Sequence, residues 1–302
     1  FLGHGVSTHL KFEGGDAAKL RQRGLPVSEN LEQLAEQMKL GTSELLWLSY
    51  ERAAATVDHY IRFEIPKRSG GRRLISSPKV KMRVAESWIS ENILNLLSPS
   101  RYATAFRPHA SIVDNASPHL YASIVVKLDL KDFFPSTTFP RVRGYFEYLG
   151  FNPGIATILA LICTDAPRVK VALDGKLSYV AMGERGLPQG ACTSPALANL
   201  IATPMDARLA GLSEALEPNW TYTRYADDLT FSCLERSADV GRLLNAINRI
   251  VSDEGFQINA KKTAVMRAPA RQVVTGLLVG ETIRLSRRDL RKLRAFLHRC
   301  DT

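Results

Sequence analysis

The chain has 302 residues, 45% of them hydrophobic and 23% charged, with a formal net charge of +10. These values fit a soluble globular protein and exclude a membrane-spanning one, because no apolar run approaches the length of a bilayer span. The four cysteines are too far apart for a zinc site or a disulfide framework, and no signal-peptide pattern precedes them, which predicts a cytoplasmic protein. The positive charge favours an anionic partner, above all nucleic acid.

The N-terminal part predicts two helices. Apolar residues recur at helical spacing from Ser28 to Lys39, Gly41 ends that helix, and a second helix is expected from Glu44 to about Ala55. A helix, a glycine turn and a helix also begin a helix-turn-helix DNA reader. A plain helical hairpin is more common and no good recognition helix follows, so a DNA-binding regulator is the weaker alternative.

A β-hairpin with a basic tip is predicted next. Apolar and charged residues alternate between Tyr60 and Pro66, which indicates a strand. Four Lys and Arg residues around two glycines follow before the apolar pair Leu74-Ile75. Such a tip suits a clamp on triphosphate oxygens, since Arg binds phosphate bidentately, although a solvated charged turn is the plainer alternative. A helix is then expected from about Lys79 to Leu97, with Val84 among its buried residues.

Residues Ser123 to Asp129 predict a buried strand that ends in a carboxylate, which is costly unless the acid is paired or metal-bound. A helix is expected from Phe139 to Leu149. The loop from Gly186 to Pro195 opens a helix that is predicted to kink at Pro204. Its glycines and small residues permit close approach of a backbone or a flat base, although an ordinary loop-to-helix junction explains them too.

Two alternating segments from Thr221 to Cys233 predict a hairpin whose turn carries Asp227 and Asp228. Adjacent carboxylates repel, and a cation is the natural remedy, while a solvated hairpin tip is the plain alternative. Further on, Val273 to Val279 predicts one strand. Ser286 to Leu297 predicts an amphipathic basic helix that suits a nucleic-acid backbone or is simply solvated.

Three of the predicted acids are expected to act together in one reaction. Asp129 precedes Asp227 and Asp228 by roughly one hundred residues, and each site follows a strand. The order strand, helix, hairpin, helix, strand is that of a split βαβ sheet, on which these acids meet at one edge. Three carboxylates on rigid strands suit two Mg²⁺ ions, which predicts in-line nucleotidyl transfer.

The motifs resemble those of reverse transcriptases. Asp129-Leu-Lys-Asp-Phe-Phe resembles motif A, Leu187-Pro-Gln-Gly motif B and Tyr225-Ala-Asp-Asp motif C; Gly255-Phe with Lys261-Lys262-Thr263 resembles motif D. Two further signatures are similar to those of bacterial retron reverse transcriptases. These are Asn115-Ala-Ser-Pro-His119, which matches NAxxH, and Val274-Thr-Gly276, which matches VTG.

The resemblance implies an α+β right-hand polymerase with fingers, a palm built on a split βαβ antiparallel sheet, and a short or truncated helical thumb. The implied divisions are an N-terminal helical region (1–58), fingers with the NAxxH segment (59–122), a palm with a fingers insertion around 140–190 (123–280) and the start of the thumb (281–302).

The resemblance also implies residue roles. Asp129 and Asp227 become the principal ligands of two Mg²⁺ ions, for which Mn²⁺ substitutes, with the Leu130 carbonyl a minor ligand and Asp228 a supporting acid. Lys262 is the implied general acid for pyrophosphate, with Lys261 as the alternative. Nucleotide-binding positions, including Phe134 as a steric gate against the ribose 2′-OH, are Lys67, Arg72, Arg73, Asp132, Phe133, Phe134 and Gln189. RNA-binding positions are Asn115, His119, Val274, Thr275, Gly276, Arg288 and Arg291.

The implied activity is RNA-directed DNA synthesis from deoxynucleotides on a structured noncoding RNA, which is both template and, through a guanosine 2′-OH, primer. The product is then branched RNA–DNA that serves antiphage defence with an effector or toxin protein, and no membrane is involved. A group II intron-like or other defence-associated reverse transcriptase is the near alternative. A non-catalytic RNA-binding scaffold is the distant one, disfavoured because its acids would repel one another to no purpose.

Overall fold

The computed structural model describes residues 10–50, 53–66, 70–173 and 175–300. In chain order the helices are α1 (Ala17–Gln22), α2 (Leu31–Gln37), α3 (Thr42–Leu48), α4 (Val80–Asn92), α5 (Ile112–Ala116), α6 (Phe139–Leu149), α7 (Pro153–Cys163), α8 (Ser194–Ile201), α9 (Thr203–Ala215), α10 (Val240–Asp253) and α11 (Arg287–Cys300). None of the described helices is both long and apolar enough to cross a bilayer.

The strands are β1 (Ala54–Ala55), β2 (Tyr60–Pro66), β3 (Arg72–Pro78), β4 (Ile124–Asp129), β5 (Arg168–Leu173), β6 (Lys176–Ala181), β7 (Thr221–Tyr225), β8 (Asp228–Cys233), β9 (Ala264–Arg267), β10 (Gln272–Val274) and β11 (Leu277–Val279). They form four sheets with the orders β1-β6-β5, β2-β3, β7-β8-β4-β9 and β10-β11. All of these strand pairs are antiparallel.

Most predicted elements are confirmed, and α6 has the predicted bounds. Four expectations were wrong. The helix expected from Glu44 to about Ala55 ends at Leu48, and Ala54–Ala55 form β1. The kinked helix is instead two helices, α8 and α9, with Ala202 between them. The single strand from Val273 to Val279 is the hairpin β10–β11, because Thr275 and Gly276 take left-handed φ angles of 46° and 84°. Val84 is 50% exposed rather than buried.

The chain divides into two compact units, and the first comprises residues 1–98 and 134–201. At its centre lies α7, which is apolar on every side and buried from Gly154 to Cys163. The β2–β3 hairpin is held at its base by Arg62, whose guanidinium forms ion pairs with Asp58 and Asp165. The unit also contains the loop from Gly186 to Pro195.

The second unit comprises residues 99–133 and 202–302 and is built on the sheet β7-β8-β4-β9. Since residues paired across antiparallel strands share a face, Val126 and Phe231 lie on one face, and Lys127 and Thr230 lie on the other. The amphipathic helix α10 buries Leu243, Ile247 and Val251, which are spaced by four residues. The second unit therefore has an apolar core, and the ends of its sheet strands carry Asp129 and Asp228.

Candidate active site

Strand register places two of the predicted acids opposite each other. Asp129 is the last residue of β4, Asp228 is the first of β8, and the two are direct partners in the ladder. Their side chains consequently leave the same face of the sheet. An apolar strand that ends in Asp129 and a hairpin whose turn holds Asp227 thus bring three carboxylates to one end of the two inner strands of the sheet.

The turn between β7 and β8 has two central residues, Ala226 and Asp227. Ala226 has a left-handed φ of 57°, a conformation that costs an L-residue about 1–2 kcal/mol and that two-residue hairpins require. The backbone carbonyl of Asp227 accepts a hydrogen bond of 2.8 Å from the N–H of Leu130. The turn that carries Asp227 is therefore tied to the residue that follows Asp129.

Two side chains from the segment after α10 hold Asp129. Lys262 Nζ donates to Asp129 Oδ2 at 2.6 Å, and Asn259 Nδ2 donates to Oδ1 at 3.2 Å. The Asn259 N–H also donates to the Asp129 carbonyl at 2.8 Å. Asn259 was not predicted as a site residue, and its only sequence signal is its place three residues before Lys262. On β4, Lys127 Nζ lies 3.9 Å from Asp228 Oδ2.

The carboxylates destabilise one another in their ionised forms. Burial raises the pKa of Asp227, and the charges of Asp228 and Asp129 raise it further. Burial also raises the pKa of Asp228, against the attraction of Lys127. Conversely, the hydrogen bond from Lys262 to Asp129 raises the pKa of that lysine. The site concentrates negative charge that Lys262 and Lys127 only partly neutralise.

The donor set fits a hard divalent cation. Mg²⁺ and Mn²⁺ prefer oxygen ligands, and three carboxylates supply them: Asp129 and Asp228 on paired strands, and Asp227 in the turn that the Leu130 N–H holds. Among the described residues, no three His, Cys, Asp or Glu side chains already converge as a complete ligand set, and Lys262 holds one oxygen of Asp129. The fit rests on donor chemistry and on the repulsion that a cation would relieve.

Residues 65–282 match the sequence profile of the family described as reverse transcriptase (RNA-dependent DNA polymerase). The chain belongs to the reverse transcriptase family. It is 40% identical to the retron Mx162 reverse transcriptase of Myxococcus xanthus, over 93% of this chain and 60% of that protein. It is 42% identical to the retron Mx65 reverse transcriptase of the same organism, over 94% and 66% respectively. These relatives confirm the predicted retron type.

The chain spans less than two thirds of the length of these two relatives. Among solved structures, telomerase from Candida albicans superposes with a TM-score of 0.52 at 12% identity, over 80% of this chain and 46% of that chain. With the antiparallel sheets, this likeness confirms the predicted α+β polymerase fold. Membership of the reverse transcriptase family also implies dependence on a divalent metal. The four predicted domains and their bounds stay predictions.

The predicted nucleotide-binding residues of the first unit lie near one strand. Arg72 and Arg73 begin β3 and are exposed, and Arg72 Nε lies 2.7 Å from Glu64 Oε2. Further along β3, the N–H of Ser76 donates to the carbonyl of Gln189 at 2.8 Å. Gln189 Oε1 is buried and has no hydrogen-bond partner in the part of the chain that the structure describes.

The four other nucleotide-binding predictions have different outcomes. Lys67 lies outside the described residues. Asp132 is exposed, with a φ of 48°, and Phe134 is half-buried. Phe133, by contrast, is 3% exposed and packs against Phe256 at 5.6 Å between ring centroids. Its side chain therefore contributes to the core of the second unit and offers a nucleotide no surface.

The retron signatures lie inside the second unit. His119 is fully buried, and its two ring nitrogens lie 2.7 Å from the hydroxyls of Ser232 and Thr223. Burial lowers the pKa of His119 to about 4. Asn115 and Val274 are also fully buried. A part for these three in RNA recognition stays a prediction, and it would act through the backbone that they hold.

The other predicted RNA-binding residues are accessible to different degrees. Thr275 and Gly276 form the turn of the β10–β11 hairpin, and the Thr275 hydroxyl donates to the Ile112 carbonyl at 3.1 Å, which ties this turn to α5, the helix that carries Asn115. Arg288 and Arg291 lie on α11, all of whose residues are exposed. Their role stays a prediction.

Glu86 is a buried acid that sequence reasoning missed, since a Glu within a helix reads as solvated. Its Oε1 accepts from the Tyr60 hydroxyl at 2.8 Å, and its Oε2 accepts from the Cys192 N–H at 3.1 Å and from the Cys192 thiol at 3.3 Å. Burial raises the pKa of Glu86 to about 7, against the effect of these donors. Glu86 thus links β2 to the loop that carries Gln189.

Stability should therefore depend on pH through Glu86. Because its pKa is higher in the folded than in the unfolded chain, the stabilisation is complete near pH 4 and is lost as the pH rises through 7. Relative to Glu86→Gln, the wild-type free energy of unfolding should fall by about 3 kcal/mol between pH 4 and 8. Chemical denaturation at several pH values measures this difference. Glu91→Gln, on the exposed side of α4, is the control; equal slopes for Glu86→Gln and wild type would contradict the prediction.

Proposed function

We propose that the protein is an RNA-directed DNA polymerase of the retron type, which copies a structured noncoding RNA into DNA from deoxynucleoside triphosphates. The observation that carries the proposal is the placement of Asp129 opposite Asp228, with Asp227 in the adjoining turn, in a chain of the reverse transcriptase family. The net charge of +10 suits a polyanionic template and product.

In this proposal the acids bind two divalent cations, Mg²⁺ by preference and Mn²⁺ as a substitute. Such ions supply activation of the primer hydroxyl and stabilisation of the charge that develops at the phosphate. Asp129 and Asp227 are the main ligands, the Leu130 carbonyl is a minor one, and Asp228 is a supporting acid. The ladder and the Leu130–Asp227 hydrogen bond keep these oxygens in place without reorganisation, which favours the transition state.

The first unit supplies the proposed nucleotide contacts. Arg72 and Arg73 neutralise the triphosphate, and Gln189, whose buried oxygen lacks a partner among the described residues, contacts the nucleotide and template. Phe134 excludes a ribose 2′-OH by its bulk, which selects deoxynucleotides. Gln189 and the two arginines are assigned to one nucleotide site because the hydrogen bond from Ser76 ties the Gln189 loop to β3, the strand that the arginines begin.

Lys262 is proposed to donate the proton to the leaving pyrophosphate. It contacts Asp129 at 2.6 Å, whereas Lys261 makes no ion pair with that acid among the described residues. We expect Lys262→Ala to lower the rate of DNA synthesis by about 10–100-fold, as loss of a general acid does, and Lys261→Ala to change it by less than about twofold. Single-nucleotide incorporation measures both rates, and the opposite ranking would assign the role to Lys261.

The retron part of the proposal is that the RNA primes its own copying from a guanosine 2′-OH, giving branched RNA–DNA in the cytoplasm that acts with an effector protein in antiphage defence. It rests on the likeness to retron enzymes and on the hydrogen bond from Thr275, in the VTG signature, to Ile112 of α5, the helix that carries Asn115.

Purification of the protein with its native flanking locus tests this, by sequencing the bound nucleic acid before and after cleavage of 2′,5′ bonds. DNA joined to RNA through a 2′ linkage, absent from an Asp227→Asn variant, is the expected result. Bound RNA without attached DNA would contradict self-priming. Extension of an added primer would then separate a reverse transcriptase of another type from a non-catalytic scaffold.

A further inference from the structure

The second unit contains a fully buried ion pair that none of the proposed roles uses. Arg224 on β7 and Asp206 in the first turn of α9 both have side chains with no exposed surface. Arg224 Nε donates to Asp206 Oδ1 and Nη2 donates to Oδ2, both at 2.7 Å. The Tyr222 hydroxyl donates to Oδ1 at 2.8 Å. Such a pair is expensive to desolvate, and apolar residues often stabilise a core at least as well.

The third arm of the guanidinium reaches the turn that carries Asp227. Arg224 Nη1 donates to the carbonyl oxygen of Ala226 at 3.1 Å. That oxygen belongs to the peptide group that joins Ala226 to Asp227. Because a peptide group is planar, fixing its oxygen limits rotation of the bond into Asp227 and opposes relaxation of the left-handed Ala226.

The side chain can exert this restraint because its own backbone is held. The N–H of Arg224 donates to the Tyr102 carbonyl at 2.8 Å, and the Arg224 carbonyl accepts from the N–H of Thr104 at 2.8 Å. Only a planar guanidinium offers donors in a fixed fork toward a carboxylate and a further donor toward another oxygen. Lysine would keep the charge but lose this geometry.

We propose that the Asp206–Arg224 pair is a positioning device for Asp227: it holds the Ala226 carbonyl, keeps the turn left-handed and so presents the Asp227 carboxylate for metal binding. This inference rests on the proposed function, since it assigns Asp227 to a divalent cation. It adds two residues outside the motif to those that set the site.

The test separates positioning from stability. Arg224→Lys retains the charge, whereas the triple variant Tyr222→Phe/Asp206→Leu/Arg224→Met replaces the polar cluster with apolar groups and leaves no donor for the Ala226 carbonyl. Leu243→Ala, a cavity in α10, is the control for lost stability alone. Three quantities are measured for each: thermal unfolding, Mn²⁺ affinity by electron paramagnetic resonance, and amide hydrogen exchange of residues 224–230.

For Arg224→Lys we expect Mn²⁺ affinity to fall by about tenfold, exchange at the turn to accelerate by at least about tenfold, and kcat to fall by about 100-fold with KM for the nucleotide nearly unchanged. The triple variant should show the same losses even where its thermal stability matches wild type. Leu243→Ala should be less stable yet bind Mn²⁺ as wild type does.

Wild-type Mn²⁺ affinity and turn exchange in the triple variant would overturn the positioning role and leave the pair a packing feature. The Mn²⁺ affinity and turn exchange of the triple variant test the positioning role even if Arg224→Lys does not fold. Failure of the proposed function is distinguishable: the wild-type protein would then make no DNA, or Asp227→Asn would leave both Mn²⁺ binding and DNA synthesis intact, whatever the exchange at the turn shows.

Discussion

Asp227→Asn is expected to lower RNA-templated DNA synthesis by at least about 10³-fold, because amide and carboxylate have nearly the same shape but only the carboxylate neutralises a bound cation. The same substitution should raise the midpoint of thermal unfolding. Burial and the charges of Asp228 and Asp129 raise the pKa of Asp227, so its ionised form destabilises the fold at neutral pH and above. A residue that weakens the fold and sustains the reaction is typical of an active site.

Primer extension and calorimetry on the same preparation check both halves of this result. Asp253→Asn, at a half-exposed carboxylate paired with Arg208, is the matched control and should retain activity. RNA binding, measured by filter retention, should be unchanged in Asp227→Asn. Synthesis within tenfold of wild type would remove Asp227 from the site.

Gly186→Ala is expected to lower the free energy of unfolding by about 2–4 kcal/mol, as forced overlap with the backbone does. A Cβ at Gly186 would lie 2.3 Å from the Pro135 carbonyl oxygen, and that oxygen belongs to backbone that cannot rotate away as a side chain would. Gly186 also exchanges two hydrogen bonds with Asp165, at 2.8 and 3.0 Å. The strain falls on the loop that carries Gln189 and on the residue after Phe134.

Gly183→Ala is the control for this substitution. A Cβ at Gly183 meets nothing within 4 Å, so the change should be neutral or stabilise the protein by a few tenths of a kcal/mol. Urea denaturation measures both variants, and nucleotide KM is expected to rise only for Gly186→Ala. Equal stability of the two variants would show that the loop shifts freely, and would contradict the close packing of Gly186 on Pro135.

Local sequence patterns predict much of the fold. The alternation from Thr221 to Cys233 predicts β7 and β8 correctly, and the apolar run to Asp129 predicts β4, because burial on a sheet constrains every residue of such segments. The β10–β11 hairpin was not predicted, since Val-Val-Thr-Gly-Leu-Leu-Val has the pattern of one continuous strand and only Gly276 marks the turn. The β5–β6 hairpin was not predicted either.

The acids of the site were found through short motifs, but the residues that support them were not. Glu86 is 26 residues from Tyr60 and 106 from Cys192, so no local pattern relates it to its partners. Arg224 and Asp206 are 18 residues apart and lie on different elements. Their burial depends on tertiary packing, whereas a solvated surface is the default reading of any charged residue. Roles that long-range contacts create become visible only in the folded chain.

The proposed RNA-directed DNA polymerase activity depends on Asp129, Asp227 and Asp228. Its most direct test is incorporation of labelled deoxynucleotides by the purified protein on a primed RNA template, with and without a chelator, beside Asp227→Asn. We expect DNA that lengthens only with template RNA and a divalent cation and that is absent with the variant. No DNA from the wild-type protein, or equal DNA from both proteins, would contradict it.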